Sequence, residues 1–422
     1  MTLDQWLAHI ESVHYRSVDL QLDRVGAVMQ ILFPKGPGFQ SISVAGTNGK
    51  GSAVETITAI LCQTELCIGT YTSPHLVCYA ERIRVNGIIV PESELCAAFA
   101  RIECVRLDIP LTYFEFGTLA ALLIFQNRDV DIAVLEVGLG GRLDAVNAVD
   151  ASVALITSIS IDHQHWLGLD RQSIAVEKAG IFRSGRPAIC ADSNPPDILQ
   201  ECAFASGANL YQLGKDFRME KEDGAWKWIG PEECFDGLPG SVMKGNFQID
   251  NVAGAIMALA SVKSLVPITA DQIRKGLRSV RLRGRFEVIK GSPAIILDVA
   301  HNVAAIEGLR SNLGEQTCLG RTLAVCGMLK DKPVREIGRV LGPLVDEWYV
   351  GSIHDPRGCS AHELAREINA ATAVAVSTHD SVVTAFRAAC RAAGRADRIV
   401  VFGSFHTVGD IIRALERKHA VH

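Results

Sequence analysis

The chain has 422 residues, with 42 Lys and Arg against 47 Asp and Glu and a formal net charge of −5. That balance leaves no basic footprint for nucleic acid or an anionic membrane surface, and 48% hydrophobic with 21% charged residues is an ordinary globular composition. No apolar run reaches the roughly 18–20 residues of a spanning helix. The opening MTLDQWLAHIESVHYRS has neither a basic n-region nor an apolar h-region, and the twelve cysteines form no CxxC pair. A cytoplasmic protein of two or three domains with reduced thiols is expected.

Apolar strands alternate with amphipathic helices along most of the chain, which predicts an α/β protein with parallel sheets covered on both faces. Ser41–Ser52 reads SISVAGTNGKGS. A β-branched run ends at Ala45, a glycine-rich loop delivers Lys50, and Val54, Ile57, Ile60 and Leu61 follow at helical spacing over 52–67. Strand, loop, lysine and helix together predict a phosphate cradle: loop N–H groups and the helix dipole face the anion, and Lys50 adds a mobile charge. The ending GKGS departs from the usual GK[ST], because Gly51 fills the hydroxyl position and Ser52 comes one later.

Cys67–Gly69 reads as a strand, and the TYTSPHL that follows predicts an extended turn at Ser73-Pro74 with an exposed hydroxyl; alone it is a simple turn. Ile83–Val90 reads as a hairpin around Asn86-Gly87. Ile132–Val137 is a buried strand that carries Glu136 to its end, before a glycine turn. A buried carboxylate needs a partner, and in a phosphate-loop protein the natural one is Mg²⁺. Gly138, Gly140 and Gly141 do not complete a dinucleotide-binding GxGxxG, since Leu143 occupies its last position.

Val153–Ile159 predicts the next strand, followed by Asp162-His163-Gln164-His165. No Cys or third His stands at a zinc-like spacing, and either imidazole could ligate a second divalent ion near phosphates. Lys178 lies on a helix beginning near Arg171, where local sequence reads it as solvated. Pro187–Cys190 is a strand, Phe217–Ile229 a ribbon around Asp223-Gly224, and Ile249–Leu265 and Ala270–Val280 are helices.

The organisation then restarts. Ala294–Val299, Leu323–Cys326, Trp348–Gly351, Val374–Ser377 and Ile399–Gly403 are strand candidates, each followed by a helix-like stretch. The basic segment Arg281–Arg285 is therefore the expected boundary, with domains 1–285 and 286–422. Asp298 and His301 place an acid and an imidazole where a helix would begin, and Arg285 could swing a guanidinium onto a phosphate. Ligands of open α/β sheets sit outside the carboxyl ends of the strands, which directs attention to these loops.

Ten motifs in order resemble the folylpolyglutamate synthase/dihydrofolate synthase family, relatives of the Mur peptide ligases. They are GTNGKGS (46–52), TSPHL (72–76), ERIRVNG (81–87), EVGLGGRLDAVN (136–147), DHQHWLG (162–168), EKAGI (177–181), GRFEV (284–288), DVAHN (298–302), GMLKDK (327–332) and GSFHT (403–407). The resemblance implies a P-loop-containing, Mur-ligase-like central ATPase domain with a mainly parallel sheet, and a smaller Rossmann-like C-terminal glutamate-ligase domain.

It further implies that Gly46, Thr47, Asn48, Gly49, Lys50, Gly51 and Ser52 hold ATP, with contacts from Asn251, Arg285 and Asp298. Ser73, Glu136, His163 and a carbamylated Lys178 would serve Mg²⁺, as two ions. Thr112, Tyr113, Phe114 and Glu115, with Leu143, Asp144 and Ala145, match dihydropteroate-binding segments, and His301 and Ser404 match positions near the incoming glutamate. Lys50, Glu136, His163, Lys178, Asp298 and His301 would form the catalytic set. Three positions depart from the family: Phe247 stands where His is frequent, Val303 replaces the usual Pro, and Gly117 stands where a bulkier residue is common.

The activity so implied is ATP-dependent ligation of L-glutamate to dihydropteroate, and to the γ-carboxylate of reduced folates, through an acyl phosphate. A monomer acting on small molecules, without nucleic acid or membrane partners, is expected, with domain closure gating the reaction. The alternatives are a Mur-type ligase acting on a UDP-muramoyl substrate and a non-catalytic nucleotide-binding regulator. The first usually carries a UDP-binding domain ahead of the phosphate loop, where this sequence has only about 40 residues; the second needs fewer of these positions.

Overall fold

The computed structural model describes residues 1–16, 18–222, 224–240, 245–263 and 266–419, and numbers of elements below are counted among these. The chain forms two compact units, Met1–His75 with Tyr79–Val242 and Asn246–Arg281, and a second consisting chiefly of Leu282–His422. The division after Arg281 places Arg285 in the second unit, four residues from the boundary the sequence suggested.

In the first unit, β1 (Gln40–Ala45), β2 (Ile68–Tyr71), β3 (Ile83–Val85), β4 (Ile88–Ile89), β5 (Ile132–Glu136), β6 (Val153–Ile156), β7 (Pro187–Cys190) and β8 (Asn209–Gln212) make one sheet. Its order is β4-β3-β2-β5-β1-β6-β7-β8, parallel from β2 to β8 with an antiparallel hairpin at one edge. The central strands read as unbroken apolar runs because both faces are covered; every residue of β5 and β6 is buried. The hairpin turns at Asn86 and Gly87, both at positive φ (52° and 75°), the conformation a two-residue turn needs.

Two elements differ from the sequence reading for local reasons. The helix after the glycine loop spans Lys50–Leu61 rather than 52–67, because Gly49 takes a left-handed conformation (φ 87°) and itself ends the loop. β6 stops at Ile156, three residues early, because the chain beyond it turns to bond the glycine loop, with Thr47 N donating to Ser158 O at 2.7 Å.

The ribbon consists of β9 (Arg218–Glu222) and β10 (Ala225–Ile229), extended by an unanticipated β11 (Cys234–Pro239). Asp223 of its expected turn lies outside the described residues, as do residues 264 and 265 of the expected helix, which is observed as Asn246–Ala260.

The second unit has a sheet of β12 (Glu287–Ile289), β13 (Ala294–Leu297), β14 (Thr322–Cys326), β15 (Glu347–Gly351), β16 (Val376–His379) and β17 (Arg398–Phe402). The order is β12-β13-β17-β14-β15-β16, parallel except at β12. The strand expected at Val374–Ser377 runs two residues later, and β12 was not expected. Among the described residues no helix is long and apolar enough to cross a membrane.

Candidate active site

Four neighbouring parallel strands of the first unit, β2, β5, β1 and β6, end at one edge of the sheet. Their carboxyl ends deliver, in that order, the Ser73 turn, Glu136, the Gly46–Ser52 loop and the segment 157–163. This is the edge at which open α/β sheets bind ligands.

The glycine loop is pinned from below. Thr157 Oγ1 donates to Asn48 O at 2.6 Å, Asn48 N to Ser158 Oγ at 3.0 Å, and Thr47 Oγ1 to Ser160 O at 3.0 Å. Two glycines are obligatory. A Cβ at Gly46 (φ 151°) would lie 1.9 Å from Thr157 Oγ1, and one at Gly49 2.4 Å from Asn251 Oδ1. Asn251, buried on the helix Asn246–Ala260, thus closes on the loop, where Gln248 accepts from its Nδ2 at 3.3 Å.

Lys50 folds its Nζ over the loop carbonyls of Gly46 (3.1 Å) and Thr47 (3.4 Å). The N–H groups of Lys50, Gly51 and Ser52 precede the first helical bond, from Ala53 N to Gly49 O, so the helix end presents donors to an anion. Ser52 Oγ is buried with no hydrogen-bond partner.

Beside the loop, Ser73 N donates to Glu136 Oε2 at 3.1 Å, joining two of the proposed metal positions; Glu136 is buried and Ser73 half-buried. His163 is exposed, sits in a left-handed conformation (φ 51°) ahead of the short helix Gln164–Leu167, and donates its N–H to Asp162 Oδ1 at 2.8 Å. Among the described residues no three His, Cys, Asp or Glu side chains converge as a metal cluster; the proposed set contains only two such residues.

Lys178 overturns its local reading. It is buried, 2% exposed, near the end of the helix Arg171–Ala179, with no hydrogen bond or ion pair to its ammonium group among the described residues. Burial, reinforced by the Lys50 charge and opposed by Asp162 and Asp144, lowers its pKa from 10.5 to about 7. The glycine turn after β5 packs on the backbone of the same helix: a Cβ at Gly141 would lie 2.8 Å from Glu177 O and 3.0 Å from Lys178 O. The glycines that fail as a dinucleotide fingerprint serve close packing.

The segments expected to bind the acceptor are adjacent, but several of their polar side chains are already engaged. Thr112 and Glu115 form a reciprocal capping box on the helix Tyr113–Asn127. The buried Glu115 also pairs with Arg24 at 3.2 Å. Asp144 accepts from Leu139 N at 2.9 Å and Val146 N at 3.0 Å, holding Leu143 and Ala145 in a tight turn, and burial raises its pKa to about 6. The aromatic members line the space between. The Phe114 ring packs on Tyr71 at 6.0 Å and over Gly138, where a Cβ would come within 2.6 Å of it. Gly117 makes room for two hydroxyls, since a Cβ there would lie 2.6 Å from Tyr79 OH and 3.0 Å from Tyr71 OH.

In the second unit β13 and β17 are adjacent and parallel, so Asp298, His301 and Ser404 emerge at one edge. Asp298 accepts from Ala300 N (2.8 Å) and Phe286 N (2.9 Å); burial raises its pKa although part of its surface reaches solvent, and Arg285 opposes the shift. His301 Nδ1 bonds Val299 O at 2.8 Å, and its ring tilts against Phe405, over which Arg285 also lies at 5.0 Å. Ser404 accepts from Thr407 N at 3.0 Å. Val303 simply begins the helix capped by Asn302. The sequence reading gave no role to Thr157 and Ser158, which pin the loop, nor to Arg82 within the quoted ERIRVNG. A hydroxyl pair directly after the β6 run was the available signal for the former.

Known proteins are similar to this chain in sequence and fold. Residues 44–216 match the Mur ligase middle domain and residues 284–405 the Mur ligase glutamate ligase domain. The dihydrofolate synthase/folylpolyglutamate synthase of Escherichia coli K12 is 41% identical over 418 residues, covering 99% of this chain and 96% of that protein. The solved structure of E. coli FolC in complex with DHPP and ADP superposes with a TM-score of 0.94 at 40% identity, covering 99% of both chains. A bifunctional folylpolyglutamate synthase/dihydrofolate synthase with Mn, AMPPNP and L-glutamate bound gives a TM-score of 0.91 at 41% identity, covering 99% of this chain and 98% of that one. The chain belongs to the dihydrofolate synthase/folylpolyglutamate synthase family, built from Mur ligase domains.

Proposed function

We propose that this chain is an ATP-dependent carboxylate–amine ligase that joins L-glutamate to dihydropteroate, and to the γ-carboxylate of reduced folates. The observation that carries the reading is the meeting, at one sheet edge, of a pinned phosphate loop with the Ser73–Glu136 pair and the buried Lys178. Residues 1–285 would be the ATP-binding domain and 286–422 the glutamate-ligase domain.

The acceptor carboxylate attacks the γ-phosphorus of ATP, ADP leaves, and an acyl phosphate forms. The amine of L-glutamate then attacks the acyl carbon; the C–O bond to phosphate breaks, phosphate departs and the amine loses a proton. The loop N–H groups of residues 46–52 would hold the phosphates, and Lys50 would leave its loop carbonyls for the transferring group. Asn251, Arg285 and Asp298 are assigned to the nucleotide, and His301 and Ser404 to glutamate, by the resemblance. Thr112 and Glu115 would act by fixing the start of the helix that presents Tyr113 and Phe114. Asp144 would act likewise by shaping the Leu143–Ala145 turn.

The donor set suits a divalent ion: Ser73 and Glu136 offer oxygens beside the phosphate loop, His163 an imidazole, and Ser52 a buried hydroxyl without a partner. Mg²⁺ bound there, as two ions, would neutralise charge on the phosphoryl oxygens. A buried amine with a pKa lowered to about 7 is largely neutral at physiological pH and able to add CO₂, which supports carbamylation of Lys178. The carbamate would turn a buried amine into a second carboxylate-like ligand, in addition to Glu136.

The test is glutamate-dependent ADP formation with dihydropteroate, with a reduced folate and with a UDP-muramoyl substrate in parallel. Turnover with the first two is expected. Turnover with only the third would sink the folate reading, and none at all would return the chain to a nucleotide-binding regulator.

A further inference from the structure

Among the described residues of the first unit, three part-buried arginines have acidic partners at their terminal nitrogens. Arg24 pairs with Asp19 and Glu115, Arg84 with Glu55, and Arg106 with Glu103. Arg82 differs. It is 8% exposed, its Nε donates to His75 Nδ1 at 3.0 Å, and Nη1 and Nη2 have no hydrogen-bond or ion-pair partner among the described residues. Those two nitrogens are not among the fully covered polar atoms, so a buried side chain keeps its forked end open to solvent. Burying a guanidinium without a counter-ion is costly, and a flat fork of N–H donors matches a carboxylate or phosphate.

The position of this fork narrows the anion. Arg82 O accepts from Thr72 N at 2.9 Å, which clips the residue to the turn where Ser73 meets Glu136. Its guanidinium lies over two rings, 5.0 Å from Tyr79 and 5.5 Å from Tyr113, the second being in the segment assigned to the acceptor. These cation–π contacts hold the guanidinium against the rings while Nη1 and Nη2 keep no protein partner among the described residues. ATP phosphates already have the glycine loop, on the strand beyond Glu136.

We propose that Arg82 is a substrate-binding residue whose Nη1 and Nη2 hold the carboxylate of the acceptor, orienting it for phosphorylation. This rests on the ligase reading above. The same fork would remain with the acyl phosphate, which keeps negative charge at that end of the substrate. Tyr79 and Tyr113 hold the guanidinium in place, and His75 fixes its rotation.

The test is a binding cycle without turnover. Dissociation constants of dihydropteroate and of its uncharged carboxamide are measured for the wild type and for Arg82→Gln. A carboxylate contact predicts that the variant weakens dihydropteroate by roughly 10- to 100-fold while the carboxamide changes by less than about two-fold. Equal weakening of both ligands, or of neither, overturns the proposal. If Arg82→Gln does not fold, Arg82→Lys decides in the same cycle: it must spare the carboxamide and lose part of the dihydropteroate affinity, because an ammonium keeps the charge without the fork. Steady-state kinetics supply a second readout. KM for the acceptor should rise with KM for ATP unchanged, whereas a rise confined to glutamate refutes the assignment. Failure of the ligase reading shows separately, as absent glutamate-dependent ADP formation in the wild type.

Discussion

The backbone N–H of Ser73 donates to Glu136 Oε2 at 3.1 Å, so the turn after β2 is held by the carboxylate that ends β5. One carboxylate oxygen is thereby committed to the protein, and the proposed metal role rests on the charge of the group. Glu136→Gln keeps an oxygen for this bond while removing the charge. Ligase turnover is expected to fall by roughly two orders of magnitude or more, with the Mg²⁺ requirement shifted to higher concentration and little change in melting temperature. A magnesium titration of initial rates checks this; unchanged rates at all concentrations would remove Glu136 from the metal set.

Lys178 makes stability depend on pH in a predictable direction. Its folded pKa of about 7 lies below its ordinary 10.5, so between these values the unfolded chain binds a proton that the folded chain does not. Stability therefore rises with pH across that window, and the penalty of burying the ammonium is fully present below about 7. Lys178→Met should flatten this rise in urea titrations run in CO₂-free buffer. Activity of the unaltered chain should drop in the same buffer and recover with bicarbonate, and ¹³C-bicarbonate should give a carbamate signal absent from Lys178→Met. Full activity without CO₂ would exclude the modification.

The contrast between Glu136 and Lys178 shows where a sequence is readable. The end of a buried parallel strand is recognisable from a local apolar run, so the glycine loop and Glu136 could be placed on the right edge of the sheet before any coordinates. The burial of Lys178 is a property of the assembled fold, in which Gly141, nearly forty residues earlier, packs on the backbone of its helix, and no local pattern reports such long-range packing. β12 was missed because three half-buried edge residues, Glu287–Ile289, carry too little periodicity. The Thr112-x-x-Glu115 spacing was a legible capping box, yet the resemblance drew attention to ligand binding instead.

Gly49 and Asn251 provide a test of the loop that leaves its charges intact. Alanine at 49 would adopt φ 87° only under strain and would place its Cβ 2.4 Å from Asn251 Oδ1. Gly49→Ala is expected to raise KM for ATP by about ten-fold or more, with a stability loss of about 1–3 kcal/mol. Asn251→Ala removes the clash but not the positive φ, so the double variant should recover only part of the lost stability, read by urea titration because Asn251 is itself assigned to the nucleotide. Complete recovery would show that Asn251, rather than the backbone of the loop, sets the geometry.

Tyr79 and Gly117 make the sharpest packing prediction. Tyr79 OH is buried without a hydrogen-bond partner, and it occupies the space that a Cβ at residue 117 would need, 2.6 Å away. Gly117 lies inside the helix Tyr113–Asn127, where alanine would otherwise gain about 1 kcal/mol. Overpacking costs about 1–3 kcal/mol, so Gly117→Ala alone should be destabilising by about 1 kcal/mol. Tyr79→Phe removes an unsatisfied buried hydroxyl and should be neutral or stabilising by up to about 1 kcal/mol. In the double variant the alanine meets only the more distant Tyr71 OH, at 3.0 Å, and its helix propensity prevails. Guanidinium titrations of the four proteins should therefore give a favourable coupling of about 1 kcal/mol or more. Additive free energies would mean that the Tyr79 hydroxyl is not what keeps residue 117 a glycine.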